Sequence, residues 1–205
     1  MTPTSMPAGS DSPEGRPTRE ERRRRTEASI LDAARALFAE VGFERTTIRG
    51  VASRAGVDPA LVMQYYGSKD GLFAASAQWF ADRKGVASAT LADLPAVALS
   101  DLLAGMEDPE LRCAATAVLR SCLTNESART VMRDQVMKDR HATVAATIGG
   151  PDAELRAGLL GAVMIGTTIA RYLLEIPAVA QASPEDIERV LQPVLKALVD
   201  PSPEA

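Results

Sequence analysis

The chain has 205 residues, 46% of them hydrophobic and 24% charged, which suits a globular fold of one large or two small domains. No basic start leads into an apolar run at the N-terminus, and no stretch nears the roughly 18 uninterrupted apolar residues of a membrane span, so neither a signal peptide nor a span is expected. The net charge of −4 argues against a nucleic-acid partner only until it is resolved along the chain. Residues 16–69 hold ten Arg and one Lys against seven acids, while residues 70–205 hold 12 basic and 18 acidic side chains. A basic end on an acidic remainder points to a polyanion met by one end of the molecule.

Residues 1–17 are Pro, Ser, Thr and Gly with scattered charge and have little to bury, so a disordered tail is expected there. Everything after it reads as helix, because no segment alternates with period two. Thr18 and Glu21 have capping-box spacing, and Ile30, Ala34, Leu37, Phe38 and Val41 then share one face up to a stop at Gly42. Thr47 caps a second helix, with Ile48, Val51, Ala52 and Ala55 inward and Gly56 at its end. Asp58 caps a third, short helix with Pro59 at its first position, ended by Gly67. Ser68 caps a fourth, which runs through Leu72, Phe73, Trp79 and Phe80. Further helices are expected at 95–106, 109–124, 127–148, 152–175 and 184–199, with Gly149-Gly150-Pro151 as a clean break and Pro193 as a kink.

Helix two, the turn Gly56-Val57-Asp58 and the short third helix have helix-turn-helix spacing. Such a unit sets its second helix in the DNA major groove, about 12 Å wide, where two turns suffice because the N-terminal part reaches the base edges. The run Arg22-Arg23-Arg24-Arg25 opposes the dipole of the first helix. It reads either as a solvated face or as a flexible basic arm on phosphates or in the minor groove.

The stretch FAEVGFERTTIRGVASRAGVDPALVMQYYGSKDGLF resembles the N-terminal domain of the tetracycline-repressor (TetR) family. The matching features are Ala33-Ala34-x-x-Leu37-Phe38, Gly42-Phe43, Thr46-Thr47-Ile48-x-x-Val51-Ala52, Ala55-Gly56-Val57 and Tyr65-Tyr66-x-Ser68-Lys69-Asp70-x-Leu72. The resemblance implies an all-α protein: a three-helix helix-turn-helix domain over 18–67 and a helical ligand-binding and dimerisation domain over 68–200. It also implies the DNA-binding residues. Arg45, Thr47 and Arg49 lie at the first edge of the unit, with Arg49 able to pair bidentately with guanine. Asp58, Pro59, Ala60, Leu61 and Gln64 take the groove-facing positions, and Tyr65 and Lys69 the phosphate-contacting ones. The chain departs from the family at Val62-Met63, where Leu-Tyr or Ile-Tyr is usual. Methionine has no donor for a phosphate, so one backbone contact fewer is expected.

In the C-terminal part, Ala162, Gly166 and Ala170 permit close helix approach. The helix at 184–199 carries Ile187, Val190, Leu191, Val194, Leu195 and Leu198 on one stripe. Helices 152–175 and 184–199 are therefore expected to build a homodimer whose recognition helices lie about 34–36 Å apart on a roughly palindromic operator. For the ligand cavity the candidates are Met106, Leu119, Arg120, Leu123, Met132, Val136, His141, Met164 and Thr168. His141 has no matched nucleophile or carboxylate pair, so no catalytic site is read. Cys113 and Cys122, nine apart on one helix, fall on opposite faces and read as buried thiols of a reducing, cytoplasmic compartment. No cofactor or metal is expected. The function expected is a ligand-responsive repressor of transcription. The alternatives are an activator of the same fold, or a helical adaptor without sequence-specific DNA binding, for which Val62-Met63 is the support.

Overall fold

The computed structural model describes residues 18–78 and 84–200, and among them every regular element is helical. Trp79, Phe80 and the tail at 1–17 lie outside the described residues. The first helix, α1 (Arg19–Arg45), opens on a complete capping box: the Glu21 amide donates to Thr18 Oγ1 at 3.1 Å and the Thr18 amide to Glu21 Oε2 at 2.7 Å. The expected stop at Gly42 is a break rather than an end. Gly42 leaves helical geometry at φ 79°, where a side chain would be strained, and one further turn carries the chain to Arg45.

The next three helices are α2 (Ile48–Ala55), α3 (Pro59–Tyr66) and α4 (Lys69–Ala77). Thr47, Asp58 and Ser68 cap them by accepting from the amides of Gly50, Ala60 and Gly71. Gly56 closes α2 in the left-handed conformation. Gly71 is required for a different reason: a Cβ there would collide with the Tyr66 carbonyl oxygen, so only glycine lets α4 start tight against the end of α3. Ile30, Ala34, Phe38, Phe43, Val51, Val62, Leu72 and Phe73 form the core of this head. Phe73 stands edge-on to both Phe38 and Phe43, each at 5.1 Å between centroids.

The rest comprises α5 (Lys84–Ser88), α6 (Leu94–Glu107), α7 (Pro109–Thr124), α8 (Glu126–Val131), a π-helical turn (Met132–Val136), α9 (Lys138–Ile148), α10 (Ala153–Tyr172), α11 (Pro177–Ala180) and α12 (Pro184–Val199). The helix expected over 127–148 is thus interrupted. The Met137 amide reaches back five residues to the Met132 carbonyl, at 2.9 Å. The side chains explain why. Val131 and Val136 are both buried in the head core, and Met132 and Met137 both line one cavity. In an α-helix, residues five apart diverge by about 140°. The π turn brings each pair to one side.

A second core, with Leu94, Leu99, Leu160, Ile187 and Leu195, joins α5, α6, α9, α10 and α12. The stripe expected on α12 is split. Ile187 and Leu195 are buried, whereas Val190 and Val194 are 59% and 49% exposed. The helix runs on through Pro193 to Val199. Cys113 is exposed, against the expectation of burial, and Cys122 is partly buried. On a helix packed from one side, opposite faces cannot both be inside.

Candidate nucleic-acid interface and interior cavities

Val62 is fully buried and holds α3 against α1, α2 and α4. That single anchor sets which face of α3 looks outward: Asp58, Pro59, Ala60, Met63 and Gln64 are exposed, with Leu61 and Tyr65 half-buried at its edge. Of the amides at this helix start, Pro59 has none to offer, Ala60 donates to Asp58 Oδ1 at 2.7 Å and Leu61 to the Asp58 carbonyl at 3.0 Å. Arg49 on α2 and Thr47 at its cap are exposed. The Thr47 oxygen already accepts from Gly50, so its hydroxyl hydrogen is the part left to donate. Arg45 is exposed and its Nε donates to the Val41 carbonyl at 3.1 Å.

Lys69 is the most tightly placed of the candidates. Its Nζ donates to the Glu44 carbonyl at 3.1 Å and lies 4.4 Å from the centroid of Phe43. It is held at the end of the head by groups without formal charge and makes no ion pair among the described residues. Tyr65 stands edge-on to Tyr66 and under the guanidinium of Arg23, 5.8 Å from the ring centroid. The departure at Val62-Met63 separates cleanly: valine does the packing, and Met63, 45% exposed, presents a thioether at the surface.

The arginine run is a helix and not a flexible arm, because the capping box fixes the chain from Thr18 onward. Arg23 pairs with Glu27 at 3.0 Å and Arg24 with Glu20 at 2.6 Å, both along the helix. Arg22 and Arg25 are exposed and make no ion pair among the described residues. A broad polar cleft of about 1290 Å³ separates this turn from α3, with Arg19, Arg22, Arg23, Gln64 and Tyr65 on its walls.

Two apolar cavities lie in the C-terminal part. The first, about 340 Å³, brings together four of the expected residues, Leu119, His141, Met164 and Thr168, with Val86, Leu102, Val144 and Leu160. The second, about 380 Å³, takes Leu123 and Met132 with Cys122, Arg129 and Ile169. Leu119, Met137 and Ile165 line both. Two candidates are corrected. Arg120 is exposed and lines neither cavity, and Val136 is buried in the head core. The side chain of Met106 lies outside the described residues. Sequence reasoning missed Met137, Arg140 and Ile165; adjacency to His141 was the available signal for Arg140. His141 Nε2 is 2.8 Å from Glu154 Oε2, joining α9 to α10. Burial pushes the Cys122 thiol up to about 11, its largest cause being desolvation.

By length and composition α10 is apolar enough to cross a membrane. One of its faces packs inward through Ala157, Leu160 and Thr168, while Leu155, Leu159 and Ile165 are exposed.

The sequence matches two family models, "Bacterial regulatory proteins, tetR family" over residues 30–76 and "Tetracyclin repressor-like, C-terminal domain" over residues 92–199. The transcriptional dual regulator CecR of Shigella flexneri is 45% identical over 53 residues, which are 26% of this chain and 23% of that protein. The match therefore spans about a quarter of that relative's length. Among solved structures, a TetR-family regulator from Streptomyces coelicolor aligns over 89% of this chain and 98% of its own, at 25% identity and TM-score 0.58. NalD of Pseudomonas aeruginosa, the secondary repressor of a multidrug efflux pump, aligns over 84% and 96% at 19% identity and TM-score 0.66, a likeness of fold. These relatives are regulators of transcription and not enzymes.

Proposed function

We propose, from the premise that this chain belongs to the TetR family of transcriptional regulators, that it is a repressor which binds a roughly palindromic operator as a homodimer and leaves it when a small molecule enters the C-terminal cavities. In this reading the head at 18–67 reads DNA and the segment at 68–200 binds ligand and dimerises. The observation that carries the reading is the burial of Val62 under a capped, two-turn α3. It leaves a convex face of Asp58, Pro59, Ala60 and Gln64 flanked by Arg49, Tyr65 and Lys69. Ala60 and Leu61 suit thymine methyl groups, while Arg49 and Gln64 supply the hydrogen bonds that distinguish guanine and adenine. Arg45, Thr47, Tyr65 and Lys69 hold the phosphates.

The exposed apolar face of α10 (Leu155, Leu159) and that of α12 (Val190, Val194) support dimerisation through these two helices. Release requires the effector to favour the conformation whose heads are wrongly spaced, because a ligand that binds both states equally shifts nothing. A cytoplasmic location follows from a DNA partner. The dual-regulator name of the Shigella flexneri relative favours activation as the second reading.

Fluorescence anisotropy of the purified protein on the DNA flanking its own gene, against a scrambled duplex at two salt concentrations, tests the proposal. Preference for the native flank, weakening with salt, is expected. Failure to bind either duplex at low salt overturns it and favours the adaptor, with Met63 as the reason.

A further inference from the structure

We infer that the two apolar cavities form one elongated site for an uncharged, largely hydrocarbon molecule that carries no charged head. The inference deepens the effector reading above and rests on it for the consequence on DNA, though not for binding itself.

Two glycines open the space. Gly158 and Gly161 stand inside α10, where glycine lowers helix stability relative to alanine, and both line the first cavity. A Cβ at Gly161 would meet nothing within 4 Å, and one at Gly158 would meet only His141 Cε1 at 3.7 Å, an ordinary contact. Packing within the chain therefore requires glycine at neither position, and the missing side chains leave room instead. Leu119, Met137 and Ile165 line both cavities, so only side chains separate them, and one of these is a flexible methionine. Along α10 the first cavity begins at Ala157 and the second reaches Ile169, a span of about 18 Å at a rise of about 1.5 Å per residue. Compartments of about 340 and 380 Å³ strung along one helix suit an extended molecule better than a compact ring system.

Neutrality follows from the polar groups of the walls, which are already engaged. Thr168 Oγ1 donates to the Met164 carbonyl at 3.0 Å, and Cys122 Sγ to the Ala128 carbonyl at 3.7 Å. His141 Nε2 is held by the Glu154 carboxylate at 2.8 Å, and Arg140 has a partner of its own. An anionic head at any of these would have to take a donor from the group that now holds it, leaving that group unpaired. A cationic head would find no carboxylate, since none lines either cavity among the described residues. Arg129, on the wall of the second cavity, is exposed, so water solvates and screens its charge. A charge buried here without a partner costs more than the apolar contact of several methylenes returns, and an uncharged molecule avoids that cost.

The test is displacement of the uncharged probe 1-N-phenylnaphthylamine from the full-length protein by straight-chain 1-alcohols from butanol to tetradecanol, beside the carboxylates and alkyltrimethylammonium ions of the same lengths. Alcohol affinity is expected to rise about fourfold per methylene and to level off once both compartments fill. At equal length both charged series are expected to bind at least about tenfold more weakly. Gly161→Leu, which fills the first compartment with a good helix former, should weaken the alcohols at least about tenfold. Gly161→Ala should act in the same direction by a smaller factor, and it keeps the question open to an answer if the leucine variant fails to fold. Ile169→Trp should move the plateau to shorter alcohols. A charged series that binds as tightly as the alcohols, affinity that is flat with length, or folded Gly161 variants of full affinity overturn the inference. Carboxylates that outbind the alcohols and lose that advantage in Arg129→Gln overturn it too, and place an anionic head at the second cavity. Alcohols that bind yet leave the protein on its DNA keep the site and overturn the effector reading. A protein that holds its DNA and binds no alcohol overturns the site and leaves the regulator intact.

Discussion

Arg49 carries the clearest prediction at the scale of single residues. It is exposed on α2, the helix that packs against α3. Arg49→Ala should weaken operator binding by about 1–3 kcal/mol and relax preference at one base pair, read by anisotropy on a set of single-substitution duplexes. Unchanged affinity and preference would remove it from the interface. The two cysteines separate just as sharply. Exposed Cys113 should react with a thiol reagent at once, and Cys122, with its thiol pushed up to about 11, only on unfolding or at alkaline pH. Because its folded-state value is raised from about 9, the neutral thiol favours the fold at lower pH, and this contribution is lost as pH rises through about 9 to 11. Two fast thiols per chain at neutral pH would refute the burial. The caps at Thr18, Thr47, Asp58 and Ser68 were legible in the sequence because capping is decided within three residues. The cavity walls were legible only in part. Leucine and methionine in a wall look like leucine and methionine in a core, and nothing local separates outward Arg120 from inward Arg140.

Among the elements, the first turns of α1 decide how much of the basic charge reaches DNA. Arg23 and Arg24 are held by Glu27 and Glu20, while Arg22 and Arg25 are exposed without an ion pair among the described residues. Exposed pairs of this kind contribute little to stability. The double substitution Arg22→Gln, Arg25→Gln should therefore leave the melting temperature within a degree or two and lower the slope of log affinity against log salt by about 1–2. An identical slope would make the run a merely solvated face. The helices at 109–124 and 184–199 agree with the expected bounds, and α10 is shorter than expected by three residues at its end. The interruption between α8 and α9 was not legible. It satisfies Val131 and Val136 in one core and Met132 and Met137 in one cavity, a demand set by tertiary neighbours.

For the whole molecule, the proposed assembly turns on the exposed apolar residues of α10 and α12. Val194→Asp should convert a dimer to monomers in sedimentation velocity, and operator affinity should fall with it, since two half-sites would no longer be held together. A variant that stays dimeric would move the interface elsewhere. The π turn has a consequence for the molecule as a whole. One surplus residue in a helix acts as a phase-setter: everything after it is turned by about 100° relative to everything before. Head core and cavity wall are thus kept in step by a single added peptide. Deleting Gln135 should restore an uninterrupted helix with the same circular-dichroism helicity. It should nevertheless rotate Arg140 and His141 out of the wall, so that a folded, DNA-binding protein becomes deaf to its ligand.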